Sequence, residues 1–183
     1  MIHRGWHSRG YLPHFDSPET IQFLTFRLFD SLPLEAIEKL KASATLLERD
    51  EILDAGHGAC WLQQAVIAQI VQDALLHFDG DRYHLIAWTI MPNHVHVLIE
   101  PLAGHRLGDI VSSWKRFSSR TANIELNRTG AFWQHDYWDT YIRDERHFDT
   151  TLAYIDNNPV KARLITSAAD WPWGNARLRA TKA

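Results

Sequence analysis

The sequence lacks the features that mark disulfide-stabilised, membrane-spanning and nucleotide-hydrolysing proteins. Its 183 residues contain one cysteine, Cys60, which excludes an internal disulfide framework. No run approaches the roughly 18 consecutive apolar residues of a membrane span, and residues 1–9 lack the apolar stretch of a signal peptide. No G-x-x-x-x-G-K-S/T phosphate-binding loop is present. These absences favour a cytosolic protein whose chemistry needs no ATP.

An excess of positive charge is also missing. The chain has 19 Lys and Arg against 22 Asp and Glu, so bulk charge does not hold it on nucleic acid. Hydrophobic residues make up 45% and charged residues 22%, which excludes bulk disorder and, at this length, indicates one globular domain. Histidine and tryptophan are abundant, with 11 and 8 residues. Histidine binds metals and carries protons near pH 7, and tryptophan stacks on bases, so a cluster of either would mark a site.

Hydrophobic spacing predicts the element order β-α-α-β-β-α-β-α. The strands are expected at 21–29, 83–90, 94–100 and 138–142, and the helices at 34–49, 62–78, 107–126 and 144–157. Pro159 should stop the last helix, because the residue before a proline disfavours helical geometry. If the first helix is an insertion, β-α-β-β-α-β remains, followed by the last helix. This order predicts an α+β, ferredoxin-like fold, an antiparallel sheet with helices on one face.

The single domain divides into three parts. Residues 1–18 are polar, aromatic and rich in turn formers, and we interpret them as an irregular arm. Residues 19–160 carry the predicted elements and form the core, and residues 161–183 are an irregular tail that becomes basic towards its end. The helix at 107–126 should turn Trp114 and Phe117 inward. Its other side carries a row of basic residues: Lys115, Arg116 and Arg120.

The sharpest local signal is His94-Val95-His96. Residues i and i+2 of a strand point the same way, so the two imidazoles form a pair of adjacent ligands for a divalent metal. The alternative is an ordinary solvated polar face, although two histidines within an aliphatic strand need a partner or a ligand. Two histidines make an incomplete metal site, and a third ligand must come from elsewhere in the chain. An oxygen ligand would favour Mg²⁺ or Mn²⁺, and a further histidine or cysteine would favour Zn²⁺.

The last predicted helix carries a polar line beside its apolar stripe. At about 100° per residue, four residues fall on one flank: His147, Thr151, Tyr154 and Asn158. Tyr154 and Asn158 are neighbours one turn apart, and the Asn158 amide oxygen could turn toward a metal. Taken singly, they are an edge tyrosine and a helix-terminal asparagine beside a proline. Their conjunction with the histidine strand points to a site.

These two motifs resemble those of the HUH single-tyrosine transposases. Within that group, Met91–Ile99 and Tyr154–Ala162 are similar to the REP-associated tyrosine transposases, bacterial proteins linked to repetitive extragenic palindromes. Further similar segments lie at 9–16, 22–28, 60–62, 132–134 and 136–139, so the resemblance covers nearly the whole chain. It implies the ferredoxin-like fold and the cutting and rejoining of single-stranded DNA near hairpins. One departure is Arg163, where we expect glycine in a left-handed turn.

The resemblance also implies a role for each polar residue. By similarity, His94 and His96 hold a divalent metal, Mg²⁺ or Mn²⁺, and Asn158 supplies the third ligand. Tyr154 is the nucleophile that forms a 5′-phosphotyrosine link and releases a 3′-OH. His147 is a candidate relay for the tyrosine proton. The implied partner is single-stranded DNA with a palindromic hairpin and a short flanking sequence, met by a cytoplasmic, nucleoid-associated bacterial protein.

The expected DNA contacts fall into three groups. The resemblance implies that the arm reads the flanking sequence, and its candidate residues are Arg4, Arg9, Tyr11, His14 and Phe15. Tyr11 and Phe15 would stack on unpaired bases or pack the arm down. The basic row at 115–120 forms the second group, and Lys161 with Arg163 flanks the tyrosine helix. The arm and tail would block the exchange of the tyrosine helix between subunits, so we expect a monomer with its site in cis.

Two other functions stay open at this point. The first is a module that holds hairpin DNA or structured RNA without cleaving it, although all four of Tyr154, His94, His96 and Asn158 are present. The second is a metal-dependent hydrolase that uses water and a third histidine, in which Tyr154 would be dispensable.

Overall fold

The computed structural model describes residues 5–8, 13–32 and 46–180. The strands are β1 (Gly5–Ser8), β2 (Pro13–Asp16), β3 (Gln22–Arg27), β4 (Tyr83–Ile90), β5 (His94–Pro101) and β6 (Trp138–Tyr141). The helices are α1 (Leu46–Asp54), α2 (Ala65–Leu76), α3 (Leu107–Glu125), α4 (Glu145–Lys161) and α5 (Ala176–Ala180). Two short 3₁₀ helices lie at Trp61–Gln63 and Ala168–Asp170. None of the helices in these ranges combines the length and apolar character needed to cross a membrane.

Four strands form one antiparallel sheet in the order β4-β5-β3-β6. β5 lies between β3 and β4, and the connection from β3 to β4 contains α2. β3 in turn lies between β5 and β6, which are joined through α3. This is the interleaved pair of β-α-β units that the element order predicted. The predicted α+β, ferredoxin-like fold is confirmed.

The two faces of the sheet pack against different helices. Val95, Val97 and Ile99 of β5 belong to the large core together with side chains of α2 and α3, among them Trp114. Leu98 points the opposite way and packs with Phe23 and Ile155 of α4. The crossover helices therefore share one face, and the tyrosine helix covers the other. His94 and His96 alternate with the valines and lie on the face that α4 covers.

The prediction that Phe117 is buried is wrong, because this residue is 54% exposed. Ser118 takes the inward position instead. Its hydroxyl donates to the Trp114 carbonyl at 2.6 Å and accepts from Trp133 Nε1 at 2.9 Å. A polar residue fills this position because the tryptophan indole brings a hydrogen-bond donor into the core.

The ends of the chain differ from the sequence prediction. β1 and β2 pair as an antiparallel hairpin, so the described part of the arm is regular rather than irregular. α1 extends five residues beyond the predicted end at residue 49, and residues 34–45 of the predicted helix lie outside the described residues.

α4 continues through Pro159 and ends at Lys161, so the predicted stop at proline is wrong. A proline lacks only its own N–H, and two residues from the helix end this removes one hydrogen bond without cutting the helix. The backbone N–H of Ala162 still bonds to the Asn158 carbonyl at 2.9 Å. Arg163 then adopts φ 59°, the left-handed conformation for which glycine was expected.

The tail packs along the outer edge of β4. The Ile90 backbone N–H donates to the Trp173 carbonyl at 2.8 Å, and the Asn175 amide bonds to the backbone at Trp88 and Ile86. Arg179 pairs with Asp156 of α4 through two guanidinium nitrogens. The tail therefore ties the edge strand to the tyrosine helix.

Candidate functional site

The two histidines of β5 form the centre of the site. Both side chains are fully buried, and their Nε2 atoms lie 3.1 Å apart. Burial lowers the pKa of His94 from 6.5 to about 3 and holds the pKa of His96 well below 6.5, with smaller effects from His94 and Lys161. Both rings are therefore neutral at pH 7, and a neutral imidazole can present a nitrogen lone pair to a metal.

The orientation of each ring is fixed by an oxygen atom behind it. The Asn93 Oδ1 lies 2.8 Å from His94 Nδ1, and the Thr25 Oγ1 lies 2.8 Å from His96 Nδ1. An amide oxygen only accepts, so His94 carries its proton on Nδ1 and keeps Nε2 bare. The threonine hydroxyl can also accept from a protonated Nδ1. This is the arrangement that orients metal-binding histidines in proteins.

Asn93 is itself held by the last turn of α1 and the loop that follows it. Its Nδ2 donates to the Leu53 carbonyl at 3.0 Å and to the His57 carbonyl at 3.1 Å. These two bonds use both amide protons and turn Oδ1 toward His94. The segment around residues 53–57 thereby sets the tautomer of a site histidine.

Tyr154 and Asn158 face the histidines from α4. The Tyr154 ring lies edge-on to His96, with ring centroids 5.5 Å apart, and its buried hydroxyl has no hydrogen-bond partner among the described residues. Asn158, one helical turn later, is 1% exposed, and in the same part of the chain neither its amide oxygen nor its amide nitrogen has a partner. An unpaired buried polar group costs free energy, so such groups gathered at one place point to a ligand-binding site.

Two further ionisable residues, Asp54 and Arg27, lie next to His94, and the sequence analysis did not single them out. Asp54, at the end of α1, places its Oδ1 3.9 Å from His94 Nε2. Burial raises the pKa of Asp54 from 3.8 to about 6, which the charge of Lys161 opposes. Arg27 is paired in register with His94 on β3, and burial lowers its pKa from 12.5 to about 10. Only the register of β3 could have pointed to Arg27, and nothing in the sequence pattern pointed to Asp54.

The residues present fit a divalent metal. Neighbouring ligands about 2.1 Å from one ion lie about 3 Å apart, which matches the 3.1 Å between the histidine nitrogens. Within the described residues, no three His, Cys, Asp or Glu side chains form a ready metal-binding group. The unpartnered amide oxygen of Asn158 is a further donor, on the helix face that Tyr154 and Lys161 share. Two imidazole nitrogens and an amide oxygen are donors that can hold a divalent metal ion.

Two of the arm residues predicted to contact DNA have partners within the protein. His14 is fully buried between Asp136 and Asp139 rather than presented to a ligand. Burial alone would lower its pKa, but hydrogen bonds to the two carboxylates outweigh that effect and raise the pKa from 6.5 to about 9. The Phe15 ring packs against Trp6 and Tyr141, with centroids 5.2 and 5.0 Å apart. The other arm candidates lie outside the described residues: Arg4, Arg9 and Tyr11.

The predicted basic row does not border the site. Lys115 donates to the backbone carbonyls of residues 134, 135 and 136, so its ammonium group holds a loop. Arg116 and Arg120 are exposed, but α3 lies on the opposite face of the sheet from the histidines. A buried sheet therefore separates this row from the site. Lys161 and Arg163 are exposed at the end of the tyrosine helix.

His147 is poorly placed to relay a proton from Tyr154. It lies seven residues before the tyrosine, which is about 10 Å along a helix. Its backbone N–H donates to the capping carboxylate of Asp144 at 2.8 Å, and its Nδ1 lies 3.4 Å from the Arg143 backbone nitrogen. These contacts give His147 a role at the start of α4.

Known proteins resemble this chain in sequence. The family model described as "Transposase IS200 like" matches residues 63–158. The "REP-associated tyrosine transposase" of Escherichia coli (strain K12) is 28% identical over 111 residues, which cover 57% of this chain and 62% of that relative. A similarly named protein of Haemophilus influenzae is 25% identical over 103 residues, 51% of this chain and 58% of its own length. The matched region thus spans less than two thirds of either relative.

The fold is shared with a solved structure. A REP-associated tyrosine transposase bound to a REP hairpin aligns with a TM-score of 0.65 at 18% identity, covering 92% of this chain and 83% of that one. The resemblance drawn from the two motifs is therefore confirmed at the level of family and fold. The family model covers the histidine strand, the tyrosine and Asn158, more than half of the chain in all. The chain belongs to the IS200-like transposase family.

Proposed function

We propose that this protein cleaves and rejoins single-stranded DNA beside palindromic hairpins, with Tyr154 as the nucleophile. The observation that carries the proposal is the buried, unpartnered Tyr154 hydroxyl beside the neutral pair His94 and His96. A nucleophile and a pair of metal ligands meet on one face of the sheet, although they lie 60 residues apart in sequence. The family relationship supports the same reading.

The chemistry is a transesterification. The Tyr154 oxygen bonds to the scissile phosphorus, the bond from phosphorus to the 3′ oxygen breaks, and the tyrosine proton ends on that 3′ oxygen. A 5′-phosphotyrosine and a free 3′-OH result, and a 3′-OH can reverse the step without ATP. A tyrosine hydroxyl has a pKa near 10 and is a weak nucleophile at neutral pH. His94, His96 and Asn158 would hold Mg²⁺ or Mn²⁺, which supplies Lewis-acid stabilisation of the phosphate charge.

The charges around the site suit a phosphodiester. The charge of Lys161 acts on His96, Arg27 is paired in register with His94, and Arg163 follows at the helix end. We propose Lys161 and Arg163 as phosphate contacts of the incoming strand. We retain the arm residues Arg4, Arg9 and Tyr11 as predicted contacts to the flanking sequence.

The assembly we propose is a monomer that acts in cis. Tyr154 already lies against His96 of the same chain, so no second subunit is needed to complete the site. The tail also occupies the outer edge of β4, where another copy could otherwise add a strand.

The test uses labelled single-stranded DNA with a hairpin and its flanking tetranucleotide, taken from the gene's own neighbourhood. We expect a covalent protein–DNA adduct on a denaturing gel with Mn²⁺ or Mg²⁺, absent with EDTA and absent in Tyr154→Phe. The matched control is Tyr141→Phe, a tyrosine on β6 outside the site. It should form the adduct at the wild-type level.

Two other outcomes would replace the proposal. Cleavage that survives Tyr154→Phe would indicate the water-using hydrolase. Among the described residues, no third histidine is placed to complete a metal site for such a hydrolase. Tight binding of the hairpin without cleavage in either metal would indicate a binding module.

A further inference from the structure

Asp54 is a carboxylate at the histidine pair that the family motifs do not include. It is the last residue of α1, which precedes the region matched by the family model. Its Oδ1 lies 3.9 Å from His94 Nε2, the nitrogen whose lone pair faces the site. The carboxylate therefore lies beside the nitrogen that His94 turns toward the site.

The main chain on both sides of Asp54 is anchored to the site. The Leu53 and His57 carbonyls accept the two amide protons of Asn93, whose oxygen orients His94. Leu53 is also buried, with 1% of its side chain exposed. Asp54 thus sits on a fixed piece of backbone, bonded to the residue that precedes the histidine strand. Its position near His94 is built into the fold.

Among the described residues, no side chain pairs with Asp54 in a way that explains its burial. It is 12% exposed, and within this part of the chain its buried Oδ1 accepts no hydrogen bond. The charge of Lys161 acts on Asp54, but the Lys161 side chain is exposed and, among the described residues, makes no ion pair with it. A carboxylate taken out of water needs a positive charge or hydrogen-bond donors in return. Neutral histidines supply no positive charge, and a bound cation would.

We propose that Asp54 is the anionic ligand of the divalent-metal site and completes it when the ion binds. The inference rests on the proposed function, because it assumes that His94, His96 and Asn158 hold a metal. It assigns the inserted helix α1 a task, namely the delivery of one carboxylate to a site otherwise made of neutral donors. A carboxylate and an amide oxygen beside two imidazoles favour Mg²⁺ or Mn²⁺, since these ions prefer hard oxygen donors.

The experiment measures Mn²⁺ binding to the free protein, by calorimetry and by the loss of the free Mn²⁺ signal in electron paramagnetic resonance. We expect Asp54→Asn to weaken Mn²⁺ binding about tenfold or more. The matched control is Glu51→Gln, which removes an exposed carboxylate one turn earlier on the same helix and should stay within twofold of wild type.

A second readout tests for a merely structural role. Without metal, Asp54→Asn should melt at or above the wild-type temperature, because it removes a buried unpaired charge. The rise in Tm that Mn²⁺ gives the wild type should be lost in the variant. Mn²⁺ affinity of Asp54→Asn within twofold of wild type would overturn the inference, and so would a fall in the metal-free Tm with an unchanged Mn²⁺ response.

A further variant separates this inference from the proposed function. His94→Ala should abolish Mn²⁺ binding if the histidine pair is the metal site. Lost binding in His94→Ala with normal binding in Asp54→Asn would reject Asp54 alone. Unchanged binding in both variants would reject the metal site itself, and the inference with it.

Discussion

The orientation of each site histidine depends on an oxygen atom on the side of the ring that faces away from the other histidine. His96 is oriented by the Thr25 hydroxyl, and His94 by the Asn93 amide oxygen. Thr25 is opposite His96 in the pairing of β3 with β5, so strand register places the hydroxyl there. Asn93 precedes the strand and is held by two backbone carbonyls. A small change at either residue would alter ring orientation without touching the proposed metal ligands.

Thr25→Val tests whether the Thr25 hydroxyl orients the His96 ring. Valine keeps the shape of threonine but offers no acceptor to His96 Nδ1, so the ring loses its fixed orientation. We expect Mn²⁺ affinity to fall about tenfold. Calorimetric titration of the purified variant measures the change, with Thr140→Val, an exposed threonine on β6, as the control. Equal affinity in Thr25→Val and wild type would show that the hydroxyl does not orient the ring.

The elements around the core are joined by buried charges as well as by apolar packing. His14 of β2 lies between Asp136 and Asp139, and the Asp139 carboxylate also accepts the Phe15 backbone N–H at 3.0 Å. These bonds attach the β1–β2 hairpin to β6. Tyr137 packs on the His14 ring with centroids 4.6 Å apart. Because two carboxylates contact the same ring, His14 must carry a positive charge to pair with both of them.

The attachment of the β1–β2 hairpin to β6 should weaken at alkaline pH. The pKa of His14 is raised from 6.5 to about 9, so its contribution to the free energy of unfolding is complete below pH 6.5 and is lost as the pH rises through 9. Urea unfolding between pH 6 and pH 10 should show this loss in the wild type. His14→Gln should be less stable by about 3–5 kcal/mol at pH 7, because two carboxylates lose their cation. It should also lack the alkaline loss that His14 causes. Parallel pH profiles for the two proteins would contradict this account.

At the scale of the whole molecule, the tail decides what the sheet presents to other chains. β4 is an edge strand of the four-stranded sheet, and its backbone bonds to Trp173 and to the Asn175 side chain instead of to a second copy. Gly174 allows this approach, since a Cβ there would lie 2.9 Å from the Trp88 carbonyl oxygen. Arg179 then fixes the tail to α4 through Asp156.

Removal of the tail should change the state of association. A chain that ends at residue 172 exposes the β4 edge and frees α4 from Arg179, so we expect it to self-associate where the full chain is a monomer. Size-exclusion chromatography with light scattering measures this. The control ends at residue 180 and keeps every tail contact described above. A monomeric chain truncated at 172 would show that the tail does not guard the edge.

The local arrangements at the site followed from sequence alone. Strand alternation put His94 and His96 on one face, helical spacing put Asn158 one turn after Tyr154, and the element order predicted the sheet that carries both. These features depend on the periods of strand and helix, which are properties of a few consecutive residues. The expectation of a left-handed turn at position 163 came from the family resemblance, and Arg163 adopts that conformation.

Long-range packing decided the rest. The sequence could not show that β3 would pair in the register that sets Thr25 behind His96, or that α1 would end with Asp54 at His94. Nor could it show that His14 would be buried between carboxylates about 120 residues away. Each of these contacts joins groups far apart in the chain, and only the closing of the sheet with α4 across it brings them together. The sequence by itself determined which residues could do the chemistry, and tertiary structure decided which neighbours hold them in place.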